Sequence, residues 1–277
     1  EVRALGFTKL GFLLEAWAWQ SKRVMRKHVK DPVKRAKLTP DYKIGCKRIL
    51  ISNDWFPAVS QDHVDIITDG IQEITEDGLI SADGTHHKVD VIIYGTGFKA
   101  TDFLTPMQVT GLNGLDLNEA WKDGADAYKG LCVSGFPNLF LLYGPNTNLA
   151  HSSIIFMLES QIRYVMQCER MLLDPGLAFM NIKAERQQHF SEQMQDALKS
   201  SVWVAGCNSW YANEAGKVIN NWPGFTFTYR LLTGKLDGIE RFAFYEEAKH
   251  SYCVIQTAER RFYGCFILTK GVIAPDA

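Results

Sequence analysis

Apolar side chains recur near helical spacing over residues 3–30 (Leu5, Leu10, Leu13, Leu14, Trp17, then Val24 and Met25), and basic residues crowd the later turns. That pattern predicts one or two amphipathic helices whose cations lie at the negative end of the helix dipole. Over 38–60 the texture changes to Thr-Pro-Asp-Tyr, Ile-Gly-Cys-Lys-Arg, a short apolar run at 49–51 and Trp-Phe-Pro, which reads as loop, strand and loop. From 64 to 94, short β-forming runs are separated by Thr-Asp-Gly, Glu-Asp-Gly and Ala-Asp-Gly, and this spacing predicts a small antiparallel meander. The meander feeds Val-Asp-Val-Ile-Ile-Tyr at 89–94, read as a buried core strand that runs straight into Gly-Thr-Gly-Phe at 95–98. A second buried strand is expected over 139–143, followed by Gly-Pro-Asn-Thr-Asn and a helix opening near Ser152 and Ser153. A strand near 177–182, a helix over about 185–199 and an aromatic, Asn-rich stretch at 203–229 complete a mixed α/β chain without repeats.

The composition narrows the classes. Thirty basic against thirty-one acidic residues leave a net charge of −1, so no global field favours nucleic acid, and the basic stretch at 22–37 is read as a solvated helix face. Six scattered cysteines without a Cys-x-x-Cys, and no histidine cluster at ligand spacing, suggest neither a metal site nor a disulfide framework, which fits a reducing cytosol. The uncharged stretch from Gly130 to Leu158 is broken by Gly-Phe-Pro and Gly-Pro-Asn, so no membrane span is expected, and no signal peptide is visible.

Three places combine chemistry with geometry. Gly95 and Gly97 carry no Cβ, so the end of the 89–94 strand can bring bare backbone against a flat or phosphorylated ligand, although tight turns use Gly-x-Gly as well. The helix near Ser152 points unpaired N–H groups at whatever lies beyond the strand before it, and the alternative is a Ser cap on a core helix. Lys47 and Arg48 pair an ammonium with a guanidinium, able to bind a phosphate and a developing oxyanion separately, or else form a surface pair at a strand edge. Asp102 reads as a helix cap, His86 and His87 as solvated turn residues, and His151 as a ligand contact at the helix start. Trp210 and Tyr211, flanked by Asn208, Ser209 and Asn213, suit either a core or the wall of a nucleotide or substrate site.

Four blocks stand in an order that resembles the Baeyer–Villiger monooxygenases, within the wider flavin-containing monooxygenases. They are Leu-Thr-Pro-Asp-Tyr-Lys-Ile-Gly-Cys-Lys-Arg at 38–48, Asp-Val-Ile-Ile-Tyr-Gly-Thr-Gly-Phe at 90–98, Gly-Phe-Pro-Asn-Leu-Phe-Leu-Leu-Tyr-Gly-Pro-Asn-Thr at 135–147, and Ser-Trp-Tyr with Asn-Trp-Pro-Gly at 209–211 and 221–224. The branch acting on aryl and alkyl ketones, the hydroxyacetophenone type, is the most similar. The resemblance implies an α/β flavoprotein with two Rossmann-like dinucleotide-binding domains, here partial, plus the β meander and a helical insert. It also implies FAD and NADPH as cofactors, with a ketone and O2 as small-molecule partners. Reduced flavin would capture O2 as a flavin peroxide that inserts oxygen beside the carbonyl, giving an ester or lactone. Arg48 matches the arginine that stabilises the peroxide and adduct, Lys47 the lysine favouring the 2′-phosphate of NADPH, and Trp210 a tryptophan contacting that cofactor. Gly95, Thr96, Gly97 and Phe98, with Asn146, Thr147, His151, Ser152 and Ser153, match backbone lining FAD.

The departures from the family are as specific. None of the 22 glycines forms Gly-x-Gly-x-x-Gly, so the chain reads as the C-terminal portion of such an enzyme, partnered by a missing N-terminal half. Residues 1–60 would end the NADPH domain with its helical insert, 61–236 would form the second half of the FAD domain, and 237–277 is an unassigned divergent tail. An N- or S-oxidising flavin monooxygenase and a non-catalytic interaction module are the rival readings.

Overall fold

The computed structural model describes residues 2–174, 177, 179–204, 206, 209–237, 239–242, 254–256 and 265–267. Contacts divide the chain into two compact units, the first comprising Glu1–Leu14, Gly45–Arg48 and Lys99–Ala277, the second Glu15–Ile44 and Ile49–Phe98. The predicted amphipathic stretch forms helices α1 (Val2–Thr8) and α2 (Phe12–His28), with Arg26, Lys27 and His28 in the last turn of α2.

In the second unit, Asp31 caps α3 (Pro32–Lys37) by accepting from the Val33 N–H at 2.7 Å, with Pro32 at the first helical position. The cations of α3 are not all solvated, as the charge pattern suggested. Lys34 donates to the Gln61 and Val64 carbonyls at 2.9 and 2.6 Å, and Lys37 to that of Ile66 at 2.8 Å, so they tie α3 to the strandless segment at 61–66. Helix α4 spans Trp55–Val59. The expected meander is present as an antiparallel sheet ordered β1 (Ile71–Thr75), β2 (Gly78–Ser81), β3 (His86–Lys88). Its second turn is tied by Asp83, which accepts from the Ser81 and Thr85 hydroxyls and the Thr85 N–H; these bonds, led by Ser81, draw its carboxyl down to about 2. His86 and His87 belong to β3 rather than to a turn, His86 beside Asp77 at 3.0 Å and His87 beside the Ser81 hydroxyl at 3.0 Å.

Two strand expectations fail here. Residues 49–51 form no strand, and Ile51 is 93% exposed. The run at 89–94, expected in a core, leaves the meander once the Val89 N–H has bonded to the Asp77 carbonyl, and pairs with no strand among the described residues. A strand exists only through its neighbours, and without them Val91, Ile93 (88% exposed) and Tyr94 lie open to solvent.

The first unit follows the sequence more closely. Strand β4 (Gln108–Thr110) and short helix α5 (Leu117–Ala120) precede β5 (Leu139–Leu141), which is buried on both faces. Leu139 and Leu141 enter one apolar cluster with Val109, Leu117, Trp121 and Phe136. Phe140 enters the other, with Met157, Tyr164, Met180 and Tyr229. After β5 come α6 (Ile154–Leu172), β6 (Phe179–Ile182), α7 (Ala184–Leu198) and α8 (Thr226–Leu232), all but α8 within a few residues of their expected places. Backbone pairing alone is described for the partner strands: β6 with β7 (Ile239–Phe242), β4 with β8 (Val254–Gln256) and β5 with β9 (Cys265–Ile267), each antiparallel. Most of the tail beyond 242 lies outside the described residues. Asp102 caps no helix, because 99–106 form turns. Cys132 and Cys168 are buried free thiols, whereas Cys46, against the expectation of unpaired cysteines, is disulfide-bonded. Among the described residues no helix is long and apolar enough to cross a membrane.

A buried cation closes this unit. Lys129 is 1% exposed, and its ammonium donates to the Leu232 and Lys235 carbonyls at 2.8 and 3.1 Å and to the Asp237 carboxylate at 2.5 Å, with the Tyr128 and Tyr164 rings each 5.1 Å away. Burial alone would raise the Asp237 carboxyl, but the hydrogen bond and charge of Lys129 overcome this and hold it below the usual range. The pair is asymmetric, since Asp237 is half-exposed and can rehydrate while Lys129 cannot. Asp237→Ala is therefore expected to destabilise the unit by about 2 kcal/mol, more than the volume-filling Lys129→Met, in urea unfolding at neutral pH. A carboxyl lowered on folding stabilises fully above about pH 4, its unfolded value, and loses that contribution as the pH falls through the folded one. Asp237→Asn should remove this part of the acid sensitivity.

Candidate functional site

The residues singled out in the sequence divide between the two units. In the first, the loop Gly45–Arg48 is set by a glycine that nothing else could replace. Gly45 has φ +88, and a Cβ on it would lie 2.9 Å from the Phe7 ring and 3.2 Å from Leu14. Phe7 stacks on Trp203 with centroids 5.9 Å apart, Trp203 meets Tyr211 edge-on at 6.1 Å, and Tyr211 lies 5.2 Å from Trp210. Cys46 is fully buried, and the chain then emerges so that Lys47 and Arg48 are exposed. Burial pushes the Tyr143 and Tyr211 hydroxyls above their ordinary range, while the nearby Arg48 guanidinium acts on both in the opposite sense. Tyr143 and Tyr211 therefore feel the charge of Arg48, a link the sequence reading did not make; its signal was the tyrosine closing the 139–143 run.

The backbone leaving β5 turns sharply, with Tyr143 at φ +63 and Asn146 at φ +55. Gly144 is required between them, since a Cβ there would meet the Gly130 carbonyl oxygen at 2.4 Å. Residues 146–148 then run alongside 218–222. The Asn146 N–H bonds to the Ile219 carbonyl, that of Asn148 to Asn220, and that of Trp222 back to Asn148, at 2.7 to 2.9 Å. Asn146 Nδ2 donates to the Val218 and Asn221 carbonyls, Thr147 Oγ1 to that of Gly144, and Asn148 Nδ2 to Asn221 Oδ1. The side chains of Asn146 and Thr147, matched by resemblance to a flavin lining, therefore face into the protein and hold the loop from behind. Asn148 also accepts from the Tyr143 hydroxyl at 2.6 Å. Ser152 and Ser153 are exposed, and Ser153 precedes α6 without capping it through its side chain. His151 is half-buried, its ring 6.2 Å from Phe7. Trp210 is 41% exposed; Asn208 lies outside the described residues.

In the second unit Gly95, Thr96, Gly97 and Phe98 are all exposed, Phe98 at 91%. No atom comes within 4 Å of a Cβ built on Gly95 or Gly97, and Gly97 has φ +90. This backbone is as bare as the sequence promised, and nothing in its own unit fills it. Each unit by itself offers features that suit part of a dinucleotide: the first has two exposed cations and a helix start without a side-chain cap, which match anionic groups, and the second has an open glycine backbone, which matches a flat or phosphorylated portion. The pyrophosphate loop Gly-x-Gly-x-x-Gly is not in the chain. No group of acidic, histidine and cysteine side chains able to hold a metal occurs among the described residues.

Comparison with known proteins gives the class. The fold matches an oxidised steroid monooxygenase bound to NADP with a TM-score of 0.76 and 25% identity, covering 86% of this chain and 47% of the other. A cyclohexanone monooxygenase from Rhodococcus sp. Phi1 bound to NADP+ matches in fold at a TM-score of 0.75 and 21% identity, over 86% and 46% of the two chains. A Baeyer–Villiger monooxygenase of Pseudomonas aeruginosa is 43% identical over 86% of this chain and 45% of its own length. One of Streptomyces coelicolor is 39% identical over 86% and 46%. Over the matched residues this chain is a homologue of the Baeyer–Villiger monooxygenases, and it spans about half the length of these curated relatives. A family model described as the RbsD / FucU transport protein family matches residues 225–273, well under half of the chain. The part of that match with described side chains includes α8, whose Tyr229 is buried in the core beside α6, so it marks no separate module among the described residues.

The charge of Arg48 on its two phenols can be read without any ligand. Arg48→Ala is expected to move the titration of Tyr143 further upward, followed by NMR of ring-labelled tyrosine. An unmoved Tyr143 would show that the guanidinium lies elsewhere.

Proposed function

We propose that this chain is part of an FAD- and NADPH-dependent monooxygenase that places one oxygen of O2 beside a ketone carbonyl, giving an ester or lactone. The observation that carries the proposal is the setting of Arg48: an exposed, permanently charged donor on a loop seated by Gly45, whose charge reaches two phenols, in a chain homologous to Baeyer–Villiger monooxygenases. When bound, FAD supplies the reaction of its reduced form with O2. Arg48 holds the negative charge that develops next to the carbonyl, a task for a cation that cannot lose its proton. Lys47 binds the 2′-phosphate of NADPH, and Trp210 offers its exposed ring to the same cofactor. In the first unit the start of α6 near His151, Ser152 and Ser153 is the flavin-lining element that the resemblance implies, with Asn146 and Thr147 supporting that loop from the protein side, and in the second unit that element is the backbone at 95–98.

In this reading residues 1–60 close a Rossmann-like NADPH domain, 61–236 form the second half of an FAD domain, and 237–277 take no part in binding cofactor or substrate. The half that bears Gly-x-Gly-x-x-Gly comes from polypeptide outside this chain. The bare apolar run Val91, Ile93, Tyr94 and Phe98 supports that reading, because a strand apolar on both faces is suited to the middle of a sheet.

The chain alone is expected to lose FAD on desalting and to show little ketone-dependent NADPH oxidation. Supplying the N-terminal half of a relative should restore both, and Arg48→Ala in the completed enzyme should lower ester formation by about a hundredfold or more while FAD stays bound. Retention of flavin and turnover by the chain alone would overturn the division. An N-oxide from a tertiary amine, with no ester from acetophenone, would replace the ketone by a nitrogen or sulfur substrate.

A further inference from the structure

Trp210 is the one large side chain among the nucleotide-contact candidates of the first unit that combines a flat ring with substantial exposure, so what fixes its position matters. Its ring leans on Tyr211, which is 1% exposed and anchored by Trp203. Its backbone carbonyl accepts from Asn220 Nδ2 at 2.7 Å. Asn220 is itself 6% exposed, and its own carbonyl accepts from the Asn148 N–H at 2.9 Å. The neighbouring backbone is cross-tied as well: the Ile219 N–H bonds to the Tyr211 carbonyl at 3.2 Å, and Ala212 bridges Val218. Trp210 therefore hangs from residues 218–221, and these are locked to the loop ahead of α6 through Asn146, Asn148 and Asn221.

We propose that Asn220 is a positioning residue for Trp210, transmitting the place of the loop at 146–148 to the exposed indole. The cofactor arm of the test rests on the reading of Trp210 as a nicotinamide-nucleotide contact; the positional arm does not. A carboxamide is suited to this role because one donor reaches a carbonyl while the backbone of the same residue pairs on the other side, so a single residue fixes two segments.

Asn220→Ala, Asn220→Asp and Asn220→Leu separate this from simple packing. Aspartate keeps the volume but turns an acceptor towards the Trp210 carbonyl, so a hydrogen-bonding role predicts a local defect at least as large as that of alanine. Because its carboxylate also buries charge, the neutral Asn220→Leu, of similar volume, is the packing control, near-native under a packing role and defective under a hydrogen-bonding one. In the chain without ligand, the Trp210 indole N–H resonance, assigned by its loss in Trp210→Phe, is expected to shift in all three variants. Amide exchange of Ile219 should quicken with it, by roughly three- to tenfold for one hydrogen bond. NADP+ affinity in the completed enzyme, by calorimetry, should fall by a similar three- to tenfold, and Asn220→Ala should add nothing to Trp210→Phe. An unmoved indole resonance in all three variants, or native behaviour of Asn220→Asp or Asn220→Leu, overturns the proposal. If the indole moves but Trp210→Phe leaves NADP+ affinity unchanged, the positioning role stands and the nucleotide reading of Trp210 fails.

Discussion

Strand β5 is three residues long, yet its side chains enter both apolar clusters of the first unit, Leu139 and Leu141 on one side and Phe140 on the other. Such a strand can neither slide nor rotate without pulling apolar groups out of one cluster or the other, because a shift of one residue exchanges the faces. The turn that follows is consequently fixed in space. Tyr143 and Asn146 adopt left-handed backbone, Gly144 is packed against the Gly130 carbonyl, and the asparagines beyond are delivered to the 218–222 segment. The start of α6, the Tyr143 hydroxyl and the support of Trp210 all inherit their positions from that short strand. Lys129 adds a second restraint from below, since its φ of +55 and its buried ammonium join the 128–132 turn to the end of α8.

The second unit shows the opposite condition. Its meander is satisfied within itself by cross-strand bonds and by Asp77 and Asp83 in the turns. The run that leaves it has no such closure, and apolar residues of both alternating sets, Val91 and Ile93 on one and Tyr94 on the other, are exposed. An apolar run open on both faces costs solvation and invites pairing, which is why single-chain folds rarely leave one. The curated relatives are about twice the length this chain matches, so they contain further polypeptide beyond the matched residues.

What was legible in the sequence followed from short-range physics. Turn triplets ending in Asp-Gly located the meander, and the period of apolar residues located α2, α6 and α7, because each of those signals acts over a few residues. The 89–94 run was misread as buried for the reason that made it conspicuous: hydrophobicity states what a segment requires, and the partner that meets the requirement is not encoded in the segment. The lysines of α3 looked like a solvated face because a charge pattern does not reveal that carbonyls from 61–66 lie within reach. Asn146 and Thr147 were matched by resemblance to backbone lining FAD, and their side chains hold the loop from within, whereas Asn220, immediately before the block at 221–224, drew no notice. Its contact with Trp210 joins residues ten apart through a loop whose shape no local pattern specifies.

Arg48 shows how far local chemistry and fold must cooperate. A guanidinium is charged whatever surrounds it, so the sequence establishes the cation but not its target. The target is decided by Gly45, whose missing Cβ lets the loop close on Phe7, and by the aromatic series from Phe7 through Trp203 to Tyr211. Any side chain at position 45 would have to displace that ring or abandon a φ of +88, so the loop that carries Arg48 could not keep its present path. The cation's placement thus depends on a residue with no functional group at all, three positions before it. It is held in the first unit although the residues on either side of the loop belong to the second.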